Sequence, residues 1–269
     1  MIVEQTADTR VRLTVQRISK EEPWRWLEKG WADLWRHPAL SLGYGLVFTL
    51  CGLCILVVLF YLQALAIAPV LIAAFALVGP MLAIGLYEKS RRIEDGEPLS
   101  LGAVVYVRTP APLQLAYVGG LLMLIVLVWF ELAAVLFALF FSESGLPPLL
   151  GERGMPSPRE WTNALFYTPE GVIFLAIGSI VGGTIAALVF ALTAVSVPAL
   201  MHKPADFVSA LVASLQAMRD NPWPMLLWAW LIVLIVGFGL ATLTIGLIVT
   251  FPLIGHATWH AYRAVIRSD

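Results

Sequence analysis

The sequence predicts an all-α, polytopic membrane protein: six transmembrane helices built as three repeated hairpins, with amphipathic helices lying on the cytoplasmic surface. Three observations predict it. The apolar residues come in runs long enough for a bilayer core, which takes about 20 residues per crossing. With six spans and both termini in the cytoplasm, every Lys and Arg of the 17 lies on the cytoplasmic side except Arg153 and Arg159, the bias expected of cytoplasmic loops. Finally, a proline marks the entrance and the later part of each hairpin.

Composition narrows the class further. Of the 269 residues, 59% are hydrophobic and 13% charged, against about 25% charged in a soluble domain. A net charge of −1 argues against nucleic acid as a partner, which favours a basic surface. Cys51 and Cys54 share one apolar run, so no disulfide framework is implied. Seven Lys or Arg in residues 1–38, with no apolar core of the signal-peptide kind, predict no cleavable signal. Residues 1–38 therefore read as a cytoplasmic tail with a Trp-rich interfacial helix, and 39–269 as the membrane domain.

The interfacial helix comes first. In 22–36, Trp24, Leu27, Trp31, Leu34 and Trp35 recur at helical spacing, with Arg25, Glu28, Lys29, Asp33 and Arg36 on the remaining surface. Glu22–Pro23 suits a helix start. Tryptophan favours the headgroup region, so Trp24, Trp26, Trp31 and Trp35 are expected as interfacial anchors. The run 39–87 is too long for one crossing and divides into spans at 39–61 and 64–87, turning at Tyr61–Leu62–Gln63. A charged stretch follows, then a third span at 112–141. Residues 142–170 form an acidic, Pro- and Gly-rich external loop. The fourth span is 171–199. The run 222–262 lacks Asp, Glu, Lys and Arg and divides into spans at 222–240 and 243–262, with a turn near Gly237–Gly239.

The repeat rests on prolines. His37–Pro38, Thr109–Pro110 and Asn221–Pro222 each end a short amphipathic stretch (22–36, 99–109 and 204–221), and a residue before proline is pushed out of helical geometry. In 204–221 the apolar stripe is Phe207, Leu211, Leu215 and Met218. The second helix of each hairpin carries Pro80, Pro198 or Pro252, each expected to kink it.

Candidate chemistry is sparse. His256 and His260 are four apart and share a helix face, a spacing that suits a metal or haem, though two ligands do not complete a zinc site. Interfacial hydrogen bonding is the plainer reading. Glu131 is the one charge well inside a span; an intramembrane carboxylate suggests function, unless the long third span carries it past the bilayer. Cys51–Gly52–Leu53–Cys54 has redox spacing but no soluble sheet beside it, and reads as packing. Gly178 and Gly182 form a small-residue face for close helix contact. No phosphate loop or hydrolase motif is present.

Trp24–Arg25–Trp26–Leu27 with Gly30–Trp31, the string Gly79–Pro80–Met81–Leu82–Ala83–Ile84–Gly85–Leu86–Tyr87–Glu88, and the closing Gly255–His256–Ala257–Thr258–Trp259–His260–Ala261–Tyr262–Arg263 resemble a family of bacterial integral membrane proteins, domain of unknown function 2189. The resemblance runs from about 17 to 266. It implies an inner-membrane setting. Some members carry a cytochrome c oxidase subunit label, which implies a respiratory association; a haem–copper core would need more histidines than the four here.

Together these features lead to an expected non-enzymatic accessory or assembly protein of a larger membrane complex. Its expected partners are the lipid bilayer and a protein partner or second copy, with no cofactor. The alternatives are a transporter or channel for a small or amphipathic solute, and a haem- or metal-binding protein using His256 and His260.

Overall fold

The computed structural model describes residues 13–62, 64–141 and 158–267. The described residues form helices α1 (Glu22–Trp35), α2 (Pro38–Tyr61), α3 (Ala68–Leu82), α4 (Ile84–Asp95), α5 (Leu101–Val105), α6 (Pro112–Phe141), α7 (Pro158–Phe166), α8 (Pro169–Thr193), α9 (Ser196–His202), α10 (Phe207–Asp220), α11 (Pro222–Ala241) and α12 (Leu247–Val265), plus one 3-10 turn at Leu65–Ile67. No β-strand occurs among them, only an isolated bridge between Val15 and Ile266.

Proline sets the long helices in register. α2, α6 and α11 each begin on a proline, where the missing N–H is one no helix would use. His37 turns the chain between α1 and α2 with a left-handed backbone, φ 58°. Ser100, Thr168 and Asp206 cap α5, α8 and α10 by accepting from the amides of Ala103, Gly171 and Ser209, which satisfies donors that a first turn leaves free.

Five stretches are long and apolar enough to cross a membrane: Pro38–Tyr61, Ala68–Asp95, Pro112–Phe141, Pro169–His202 and Pro222–Ala241. At most 28% of the most apolar window of any of them is buried, so their outer faces need an apolar solvent. The span expected at 243–262 corresponds to α12, which is not among the five. Its second half carries His256, Thr258, His260 and Arg263, and most of its residues are buried. α12 is the central post, packed by α1, α2, α4 and α11, while α3, α6 and α8 pack together beside it.

Several expectations need correcting. The last turn is not at Gly237–Gly239, which lies within α11; it is at Thr242–Gly246, where Leu243 and Thr244 adopt positive φ. Gly239 instead lets Leu247 and Thr250 come close. The loop expected at 142–170 contains α7 and the start of α8; 142–157, like Gln63, lies outside the described residues. In α7, Trp161 packs on Phe137 and Phe141. The matched prolines have unmatched effects. The helix breaks at Ala83, after Pro80, and at Ala194–Val195, before Pro198, while α12 runs through Pro252. The amphipathic stretch 99–109 yields only the five-residue α5. In α10 the buried face is Ala210, Ala213, Ser214 and Ala217 rather than the larger stripe: small side chains let it lie close to α8 and α9.

Residues 14–16 pair with residues 265–267. Gln16 N–H donates to Val265 O and Arg267 N–H to Thr14 O. Asn221 clamps the same segment, its amide donating to Gln16 O at 3.0 Å and its carbonyl accepting from Ile18 N–H at 2.8 Å. The start of α11, the end of α12 and residues 14–18 thus share one polar end of the bundle.

Candidate functional site

The site begins with how α1 docks. Pro23, Trp26, Gly30, Asp33 and Leu34 are its buried residues, spaced three and four apart as one helix face requires. Gly30 permits the approach: a Cβ there would sit 2.7 Å from the Ala257 nitrogen. Trp26 meets Trp228 edge to face at 5.6 Å. Asp33 is the one charge on this face, and it is carried into the interior.

What it meets is a closed polar knot between α1, α2, α4 and α12. Lys89 Nζ donates to the Asp33 carbonyl at 2.9 Å and to Ser41 Oγ at 2.5 Å. Ser41 Oγ lies 2.8 Å from His256 Nε2, and Ser90 Oγ lies 2.8 Å from His256 Nδ1. His260 Nε2 lies 2.8 Å from Asp33 Oδ2. The lysine ammonium only donates, so it occupies a lone pair of Ser41 and leaves that hydroxyl free to donate to Nε2. His256 then carries its proton on Nδ1 and donates to Ser90. The chain of donors therefore runs from the Lys89 ammonium through the Ser41 hydroxyl and a neutral imidazole to Ser90. Ser41, Lys89, Ser90 and His256 are all 0% exposed.

Electrostatics hold the knot shut. Burial pushes the Asp33 carboxyl up, but the hydrogen bond and charge of His260, helped by Ser90 and His256, outweigh it and hold the group below the ordinary carboxylate range. Outside the knot, Glu88 takes Arg91 and Arg92 at 2.8 and 2.6 Å, and Arg91 reaches Asp95 and Glu97. The Arg91 bond draws the exposed Glu97 carboxyl down as well. Trp259 and Arg263 share Glu94, and His202 bonds the Tyr262 hydroxyl at 3.0 Å.

The histidine pair expected as ligands is here, but both ring nitrogens of His256 and Nε2 of His260 are committed to protein partners. Among the described residues no group of three or more His, Cys, Asp or Glu is placed to hold a metal ion. A Lys beside a Ser is a known nucleophile arrangement, yet no face of Ser41 is open. Two clefts do lie nearby. One of about 270 Å³ is lined by Arg36, His37, Arg92 and Glu97, among others, and one of about 390 Å³ includes Arg91, Tyr106 and Arg108. Neither reaches Ser41, Lys89 or His256.

The remaining expected residues are dispersed. Trp24, Trp31 and Trp35 are exposed at 56%, 47% and 50%, but Trp26 is 1% exposed and belongs to the core, not to an anchoring surface. Its position two residues from Trp24 turns it onto the docking face. Glu131 is exposed on α6, far from the knot. Cys51 and Cys54 are free and exposed. Asp33, Ser41, Lys89 and Ser90 are the residues that sequence reasoning missed. One signal was available: Asp33 lies in register with Trp26, Gly30 and Leu34.

The family model described as "Predicted integral membrane protein (DUF2189)" matches residues 67–202, just over half of the chain. The matched stretch holds Lys89 and Ser90 of the knot; Asp33, Ser41, His256 and His260 lie outside it. No curated protein and no solved structure matches the chain.

Proposed function

We propose that this chain, which belongs to the DUF2189 family of predicted integral membrane proteins, is a non-enzymatic accessory protein of the bacterial inner membrane that scaffolds or helps assemble a larger membrane complex. The observation that carries the reading is the closed knot. Its reactive side chains are spent on one another, on holding α1 against α12, rather than presented to a substrate. Such a network fixes one arrangement of helices and makes the end of the bundle stiff. On the outside of that stiff end, Trp24, Trp31 and Trp35 stand exposed along α1, and Val208, Val212 and Leu215 along α10. Aromatic and apolar stripes of this kind suit lipid headgroups or a partner helix.

The orientation belongs to the same proposal. Residues 14–16 and 265–267 pair at the polar end, which favours an even number of crossings between them. The Lys and Arg of α1, α4 and the tail cluster there too, which favours the cytoplasm.

Purification from native membranes in mild detergent tests the proposal. A stoichiometric protein partner is expected, retained by wild type and reduced when Trp24, Trp31 and Trp35 are replaced by Ala. A solitary protein, still without a partner after crosslinking in the membrane, overturns it. A second reading, a transporter or channel for a small or amphipathic solute, draws on the helix breaks at Ala83 and Ala194–Val195, since transporters use discontinuous helices. Val195, Val197 and Leu200 at the second break are buried, which supports the accessory reading first. Solute flux in liposomes that a break-straightening Pro198→Ala change abolishes would reverse the order.

A further inference from the structure

We propose that the α11–α12 hairpin enters the bilayer and returns within it, so that the chain crosses fully only through α2, the α3–α4 stretch, α6 and the α8–α9 stretch.

The contacts between α2 and α12 form a ladder that gives relative depth. The lowest rung is Ser41 with His256. Next, Gly45 lies against the carbonyls of Leu247 and Ile248, where any side chain would collide. The top rung is reciprocal: Thr49 Oγ1 donates to Thr244 O at 2.9 Å and Thr244 Oγ1 to Thr49 O at 3.2 Å, with Gly52 packed on the Thr244 methyl. Thr244 is the turn itself. So the hairpin has reversed by the level of Gly52, whereas α2 continues from Leu53 to Tyr61, a further ~13 Å at 1.5 Å per residue. At the other end the hairpin is displaced the opposite way. Asn221, one residue before α11, lies beside the segment that pairs with Ala264–Ile266, well past His256 on α12. α11 is long enough to cross, but it starts low and ends low.

The turn is also built for an apolar medium. Inside hydrocarbon every backbone polar group needs an internal partner. Thr242 N–H donates to Phe238 O, Thr244 N–H to Leu240 O, Ile245 N–H to Thr242 O and Leu247 N–H to Thr244 O. Thr242 Oγ1 donates to Gly239 O and accepts from Gly246 N–H. The side chains pointing outward are Leu243 and Ile245, 66% and 56% exposed. Above the turn α2 loses its neighbour: from Cys54 to Tyr61 only Leu59 is buried.

Single cysteines test this in membrane fragments open to reagent on both sides, with Cys51 and Cys54 replaced by Ala. Leu243→Cys and Ile245→Cys are compared with Tyr61→Cys and Tyr167→Cys, whose parent residues are each 80% exposed. A bulky, charged maleimide is expected to label the two tyrosine positions readily and the two turn positions at least about tenfold more slowly, since a thiol in hydrocarbon forms little thiolate; all four should label in SDS. Spin labels on the turn cysteines should then collide more with oxygen than with a water-soluble nickel complex. Labelling of Leu243→Cys at the rate of Tyr61→Cys, or a nickel-accessible turn, overturns the proposal and makes α11 and α12 full crossings.

Discussion

The apolar belt and the polar end follow opposite rules of burial. Along the belt, Val47, Leu50, Val128, Ile180 and Val233 are exposed and the few hydroxyls close onto backbone, as Thr184 and Thr193 do. At the polar end, Lys89, Ser41, Ser90 and His256 have no exposure while Trp24, Trp31 and Trp35 face outward. A soluble domain would invert both. The difference teaches where uniqueness is stored. Lipid does little to favour one apolar helix face over another, so contacts in the belt leave alternatives open. A buried ionic network does not, because each group left without its partner is expensive.

The largest expected effect comes from breaking that network. Asp33→Ala leaves His260 without its carboxylate and removes a nearby negative charge from Lys89, whose bond to the backbone carbonyl of residue 33 remains; it should cost about 3–5 kcal/mol, read as unfolding in detergent by tryptophan fluorescence. Leu50→Ala, in the belt, should change stability by no more than about 0.5 kcal/mol. Equal losses would erase the distinction between the two regions.

A pair of glycines on α2 sharpens the same contrast within one helix. Gly45 faces the backbone of α12, and backbone cannot move aside; Gly43 faces nothing within 4 Å. Gly45→Ala should destabilise by about 1–3 kcal/mol through overpacking. Gly43→Ala should instead stabilise by up to about 1 kcal/mol, the usual gain of Ala over Gly in a helix.

These residues also show how far sequence could reach. The starts of α2 and α11 were legible because proline restricts backbone locally; α6 starts on Pro112, two residues past the Thr109–Pro110 junction, and hydropathy found the long apolar helices. His256 and His260 were visible as a pair, yet their partners are Ser41, Ser90 and Asp33, brought in from more than 160 residues away. No local pattern encodes that. α12 was read as one more span because a run free of Asp, Glu, Lys and Arg looks the same whether lipid or protein surrounds it. Trp26 and Trp24 illustrate the finer limit: both are tryptophans on one amphipathic helix, and the bulk of α12 decides which is buried.

A smaller effect follows from pH. The Asp33 carboxyl is held below its ordinary value, chiefly by His260 against the upward push of burial. A depressed carboxyl contributes stability that is fully present above its unfolded pKa of about 3.9 and is lost as pH falls through the lower folded value. The midpoint of thermal unfolding should thus lose this contribution only below about pH 4. The difference between wild type and Asp33→Asn isolates it: that difference should shrink on acidification. A constant difference down to pH 3 would mean that the carboxylate charge does not hold α1.

The smallest effect is expected at Glu131, and it bears on where the belt ends. Two residues before it, Trp129 donates to Val70 O at 3.0 Å, near the start of α3 and so at the level where α2 ends. Glu131 is also about 28 Å along α6 from Pro112, close to the thickness of a hydrocarbon core. It is exposed and has no hydrogen bond or ion pair among the described residues. A carboxylate in hydrocarbon would need a partner or a proton; one at the water boundary needs neither. Glu131→Gln should therefore shift stability in lipid nanodiscs by no more than about 0.5 kcal/mol. A gain of more than about 2 kcal/mol, the scale for removing a charge from mid-bilayer, would move the far boundary of the belt outward along α6 and α8, and the turn at Thr244 would then lie deeper still.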